Sequence, residues 1–168
     1  MIRILGAALL VGGCCGFGCI LAGAHHREVR LLRQIRKAVQ EMQWELKFRM
    51  TALPELCMLA GQSAGEPLKH LFSAFSQQLD RRDVTDIAAC FNGLLMKEDL
   101  PRSAKKILRQ LGDCLGRFDL EGQLQGLEEV RQHCVHELKD LEEKTPDRLK
   151  NYRTLAVSAG VVLAILFL

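Results

Sequence analysis

The sequence predicts an all-α protein: a membrane-anchored helical bundle of about six helices with a transmembrane helix at each end. Three observations lead there. Charge-free apolar runs lie near both termini, the stretch between them repeats apolar residues at three- and four-residue spacing, and the strict alternation that half-buried strands require is missing.

From Ile4 to Ala24 the chain carries no charge. As a helix rising about 1.5 Å per residue this run is about 31 Å long, which matches a hydrocarbon core of about 30 Å. Its glycines, Gly6, Gly12, Gly13, Gly16, Gly18 and Gly23, suit close packing on another membrane helix. Thr154 to Leu168 is equally uncharged but only about 22 Å long. It crosses if Tyr152 and Arg153 sit at the interface and Lys150 snorkels. The layout expected is an N-terminal transmembrane helix over 1–26, a cytoplasmic helical domain over 27–150 and a C-terminal transmembrane helix over 151–168.

Charge placement orients this layout. The formal net charge is only +3, too small to point to nucleic acid. Immediately after the first apolar run, however, Arg27, Arg30, Arg33, Arg36, Lys37, Lys47 and Arg49 outnumber Glu28, Glu41 and Glu45. Arg148, Lys150 and Arg153 precede the second run. Cations are retained on the cytoplasmic side, so both flanks place the middle of the chain in the cytoplasm. Cys57, Cys90, Cys114 and Cys134 occur singly with no CxxC spacing, and Cys14, Cys15 and Cys19 lie inside the first run, as expected of a reduced compartment. The rival reading is a signal peptide with Arg3 as its charged start, Ile4 to Val11 as its apolar segment and Ala22-Gly23-Ala24 as its cleavage site. That would leave a C-terminally tethered extracytoplasmic interaction domain, but the cations that follow resist translocation.

The middle helices are read in order. Leu31, Ile35, Ala38, Met42 and Leu46, with Leu32 and Val39 beside them, paint one apolar stripe, which Trp44 and Phe48 are expected to broaden. Pro54 ends this helix or opens the next, a short one over Glu55 to Ala60. Glu66-Pro67 then starts a helix to Leu79 that buries Leu68, Leu71, Phe72, Phe75 and Leu79. Asp83 is the expected cap of a helix carrying Val84, Ile87, Ala88, Phe91, Leu94 and Leu95, and Asp99 before Pro101 starts another. Ile107, Leu108, Leu111 and Leu115 form its inner side, and Gly116 is expected to close it. Asp119 caps the last helix, whose row is Leu120, Leu124, Leu127, Cys134, Leu138 and Leu141, with Val130 substituting where Arg131 interrupts. First and last helices are expected to pair antiparallel as a stalk, with a kink or break at Thr145-Pro146.

Chemistry-bearing patterns are weak. No glycine-rich phosphate loop occurs in the sequence, so ATP hydrolysis is expected only of a partner. His25-His26, and His133 with His136, Cys134 and Glu137, do not complete a four-ligand set at recognisable spacing. No catalytic, cofactor-binding or metal residue is assigned, and a non-enzymatic chain is predicted.

Two segments carry a family resemblance that spans nearly the whole chain. Leu108-Arg-Gln-Leu-Gly112-Asp-Cys-Leu-Gly116-Arg-Phe-Asp119-Leu-Glu-Gly-Gln123 resembles the "fGxxLGxtDxegQ" signature of the stage III sporulation protein AB family of endospore-forming bacteria. Glu45-Leu-Lys-Phe-Arg-Met-Thr51-Ala-Leu-Pro54-Glu55 is similar to its "EIxyxxTPLpeA" region. The chain departs from the family pattern at Ala52-Leu53-Pro54, where proline usually follows Thr directly, and at Pro146. The resemblance implies membership of the sporulation complex between mother cell and forespore, in the mother-cell-derived outer forespore membrane. It also implies a cytoplasmic domain similar to the inner-membrane platform protein of type II secretion and type IV pilus systems. Partners would be the ATPase stage III sporulation protein AA, other membrane components of the complex and membrane lipids; self-association is compatible with it. Gly112, Gly116, Asp119 and Gln123 form the candidate corner, either a structural turn or a partner contact.

Overall fold

In the computed structural model the backbone is described over residues 2–81, 85–115 and 119–167, and side chains over 23, 25–81, 85–115 and 119–143. Six helices follow one another: α1 Ile2–Arg49, α2 Leu53–Ala64, α3 Leu68–Asp80, α4 Ile87–Lys97, α5 Arg102–Cys114 and α6 Leu120–Phe167. No strand occurs among the described residues, and the all-α expectation is met. The chain divides into two compact units, one comprising Met1–Val29 with Lys139–Leu168 and the other Arg30–Leu138. Among the described residues no helix is long and apolar enough to cross a membrane. The two expected spans, 4–24 and 154–168, have side chains outside those residues.

In the Arg30–Leu138 unit the apolar stripe of α1 is the spine. Leu32, Ile35, Ala38, Val39 and Met42 are fully buried, and Leu31 and Leu46 nearly so. Trp44 and Phe48 do not broaden the stripe: they are exposed. At about 100° per residue, Trp44 stands two residues from both Met42 and Leu46 and so falls on the opposite side of the helix. α6 lies against α1 in antiparallel sense. Gln43 donates to Glu128 at 3.1 Å, and seven residues earlier on α1 the Arg36 charge acts on Cys134, six residues later on α6. The buried row of α6 is Leu127, Val130, Cys134 and Leu138, so Val130 takes the place that Arg131 leaves.

α2 and α3 pack closely because Gly61 faces Phe72, whose Cβ lies 3.0 Å from where a side chain on Gly61 would begin. α2 runs past the expected Ala60 to Ala64, since Gly61 serves this contact within the helix; it stops at Gly65, whose φ of 80° needs a residue without a Cβ. Phe72, Phe75 and Phe91, all fully buried, form the centre of the unit. Phe75 meets Phe91 edge-on at 4.9 Å between centroids. Each buried phenylalanine contributes about 1.5–3 kcal/mol through removal of apolar surface from water.

Several expected boundaries move. Asp86, not Asp83, caps α4, accepting from the Ala89 amide at 3.1 Å; Asp83 and Val84 lie outside the described residues. Pro101 rather than a side chain opens α5, its fixed φ suiting the entry, so Asp99 is not its cap. α5 ends at Cys114, where the Leu115 amide bonds the Leu111 carbonyl at 3.2 Å; Gly116 is outside the described residues. α6 continues through Pro146 without the expected break. The proline's missing donor costs about 3 kcal/mol, and the intact turns on either side carry the helix across it.

Candidate functional site

Two corners lie at the same end of the Arg30–Leu138 unit, because α1 runs toward it while α6 leaves from it. The first is the α1–α2 turn. Met50 adopts a φ of 51°, a left-handed conformation that costs a non-glycine residue about 1–2 kcal/mol. The turn is clamped by Glu45, which is buried at the end of α1 and accepts from the Thr51 hydroxyl at 2.7 Å and from Arg49 at 3.4 Å. Pro54 enters the first turn of α2, where a missing amide donor has no cost. Its carbonyl accepts from the buried Ser76 hydroxyl of α3 at 2.8 Å.

The second corner joins α5 to α6. Gly112 is buried against Phe91, whose Cδ1 lies 2.6 Å from the position a Cβ would take. Gly126 on α6 similarly faces Cys114, 2.7 Å from its Cβ, so the two helices meet almost backbone to backbone. Asp119 is the cap of α6: its carboxylate accepts from the Gly122 amide at 3.0 Å, and its carbonyl from the Gln123 amide at 2.9 Å. Asp119, Gly122 and Gln123 all lie within the Leu108–Gln123 signature. Gln123 is half-buried, and its side chain makes no hydrogen bond among the described residues. Asp119 and Gln123 thus lie together in the first turn of α6, whereas Gly112 faces α4 and serves packing.

A cluster on α6 reaches from this end toward α1. Glu128 binds Arg131, Gln43 and Gln132, and these hydrogen bonds, that of Arg131 foremost, hold its carboxyl down at about 2 from an ordinary 4.5. His133 Nδ1 lies 2.9 Å from Gln110 Oε1 and its Nε2 3.6 Å from Glu137, so it bridges α5 and α6. Among the described residues no group of three or more His, Cys, Asp or Glu is placed to hold a metal ion. Burial pushes the thiols of Cys57 and Cys134 up to about 12 and that of Cys114 to about 11, which suppresses thiolate chemistry at these sites.

The family described as Stage III sporulation protein AB matches residues 3–168. The chain belongs to that family. Stage III sporulation protein AB of Bacillus subtilis (strain 168) is 28% identical over 171 residues, covering 100% of both chains. A solved structure of stage III sporulation protein AB, also 28% identical, superposes with a TM-score of 0.62 over 71% of this chain and 96% of its own. The expected family relationship therefore holds, and the two segments that carried it are the α1–α2 and α5–α6 corners of one helical unit. The feature missed in the sequence is the outward display of Trp44 and Phe48. Counting from Met42 and Leu46 at a helical period would have found it.

Proposed function

We propose that this family member is a non-enzymatic docking platform of the sporulation complex between mother cell and forespore, coupling a cytoplasmic ATPase to membrane components. Membership of the stage III sporulation protein AB family supports the sporulation context. The observation that carries the platform reading is the placement of both signature corners at one end of the Arg30–Leu138 unit, a unit that the apolar stretches at 4–24 and 154–168 flank in sequence. A helical unit flanked in sequence by two apolar stretches suits tethering through both, and the paired corners offer partners a surface. Retention of the cations after Ala24 on the cytoplasmic side supports a cytoplasmic location for that unit and a multi-pass anchor in the outer forespore membrane. Membrane lipids and other membrane components are then neighbours, self-association is compatible with the arrangement, and nucleic acid is not a partner.

The test is co-purification of the full chain with stage III sporulation protein AA. Binding that requires residues 27–153 and survives exchange of the terminal apolar stretches for unrelated membrane spans supports the platform. A purified chain that binds no ATPase, or a mature N-terminus at His25 by mass spectrometry, overturns it.

A further inference from the structure

We infer that α5 presents a cationic docking ridge for a second copy of this chain, whose complementary acidic ridge lies in the first turns of α6. Arg102, Lys106 and Arg109 lie within about 60° of one another around α5 at about 100° per residue, and Lys105 flanks them. Arg102, Lys106 and Arg109 are exposed and Lys105 is half-buried. None of them makes an ion pair among the described residues. Helix stability does not account for this row. The start of a helix favours acids and disfavours cations, yet the first turn of α5 has no acid, and Arg102, Lys105 and Lys106 stand within its first five residues. Nor do neighbouring helices neutralise it. α4, which meets α5 where Phe91 covers Gly112, contains no acid. Glu137 of α6 is engaged by His133 at 3.6 Å, and Glu98 by His70 at 2.9 Å.

The occupant is named by a matching surface on the same chain. Glu121, Gln125 and Glu129 are exposed and lie within about 80° of one another around α6. α6 carries no cation before Arg131, and Arg131 is taken by Glu128. Neither Glu121 nor Glu129 makes an ion pair among the described residues. Glu121 suits the first turn of a helix, but Glu129 lies beyond the reach of that preference. Its charge and that of Asp113, one turn past Arg109, act together on the Cys114 thiol, so both acids belong to the α5–α6 corner. The ridges match in length: at about 1.5 Å per residue, Arg102 to Arg109 spans about 10 Å and Glu121 to Glu129 about 12 Å. Cys114 faces Gly126, and Gln110 meets His133, so α5 and α6 run antiparallel with Arg102 and Glu121 at opposite ends. The ridges therefore do not neutralise each other within one molecule. A two-fold pair, in which each α5 lies on the other copy's α6, satisfies both at once. The outer face of α5 has no aromatic side chain on which a base would stack and no apolar one to enter a bilayer, which favours a protein occupant.

Charge reversal and mixing test this pairing in the full chain, held in a non-ionic detergent and followed by sedimentation velocity. The expected wild-type species is a dimer at about 0.1 M salt that weakens at about 1 M, where charge is felt over about 3 Å instead of about 10 Å. Arg102→Glu/Lys106→Glu/Arg109→Glu leaves both ridges acidic, and Glu121→Lys/Glu129→Lys leaves both basic. Each variant alone should associate roughly tenfold or more weakly than wild type. Their equimolar mixture should recover a dimer, because every ridge again faces its opposite. Lys37→Glu, at an exposed position on α1, should leave association unchanged. Acids are favoured at the start of a helix, so the α5 variant should melt no lower than wild type, and circular dichroism checks both variants. If one of them loses helicity, Lys106→Glu and Glu129→Lys are mixed and read in the same way. A wild type that stays monomeric at about 0.1 M salt overturns the inference, as does a mixture that recovers no dimer. Association within twofold of wild type in both reversed variants overturns it too, and assigns the contact to another surface; if the α5 variant then loses only its binding to vesicles of anionic lipid, the ridge belongs to a membrane.

Discussion

The ring of Phe91 occupies the space that a side chain on Gly112 would need: a Cβ there would come within 2.6 Å of Phe91 Cδ1 and 3.3 Å of Cγ. Phe91 is itself fully buried between Phe72 and Phe75, so it has no direction in which to yield. The glycine of the signature is therefore the condition for α4 and α5 to approach.

Gly112→Ala is expected to destabilise the unit. Overpacking of a rigid core costs about 1–3 kcal/mol, while alanine recovers nearly 1 kcal/mol of helix propensity, leaving a loss on the order of 1 kcal/mol. Urea unfolding measures it. Phe91→Leu should cost stability alone yet partly rescue Gly112→Ala, and strictly additive effects would show that the two do not meet.

Thr51→Val removes the hydroxyl that donates to buried Glu45 at 2.7 Å. A buried carboxylate that loses a donor carries a penalty of about 1–3 kcal/mol. The expected result is a lower melting temperature, with Thr51→Ser close to wild type. Equal losses from Val and Ser would assign the effect to the backbone of the turn instead.

Glu128 links stability to pH. Its folded-state pKa, about 2, is below the ordinary 4.5, so its contribution is complete above about pH 4.5 and is lost as pH falls toward 2. More than a third of its side chain is exposed, so the effect stays within about 1 kcal/mol after solvent screening. Denaturant titrations of wild type and Glu128→Gln should differ at pH 6 and converge near pH 2. A constant difference over that range would refute the linkage.

Thiol accessibility should sort by burial. Burial raises the pKa of all four thiols, but Cys57, Cys114 and Cys134 are buried whereas Cys90 is half-buried, its thiol donating to Gln78 at 2.7 Å. At pH 8 an aromatic disulfide reagent should modify Cys90 first among these four, and the other three only after unfolding, as read by peptide mass spectrometry. Early modification of Cys57 would contradict the packing of α2 on α3.

The sequence by itself determined the helical class, the inner face of nearly every helix in the Arg30–Leu138 unit, the cap at Asp119 and the family. These are local matters: a helix of fixed period directs its side chains in a known order, so Leu31 to Leu46 and Ile107 to Leu115 declare their buried sides without reference to neighbours. Tertiary structure decided what each face meets. Asp86 took the role expected of Asp83, Gly61 became a contact inside α2, Gly112 met Phe91, and the two signature corners came to one end. Those outcomes depend on long-range packing, in which the shape of a distant side chain determines whether a glycine is a turn or a close approach.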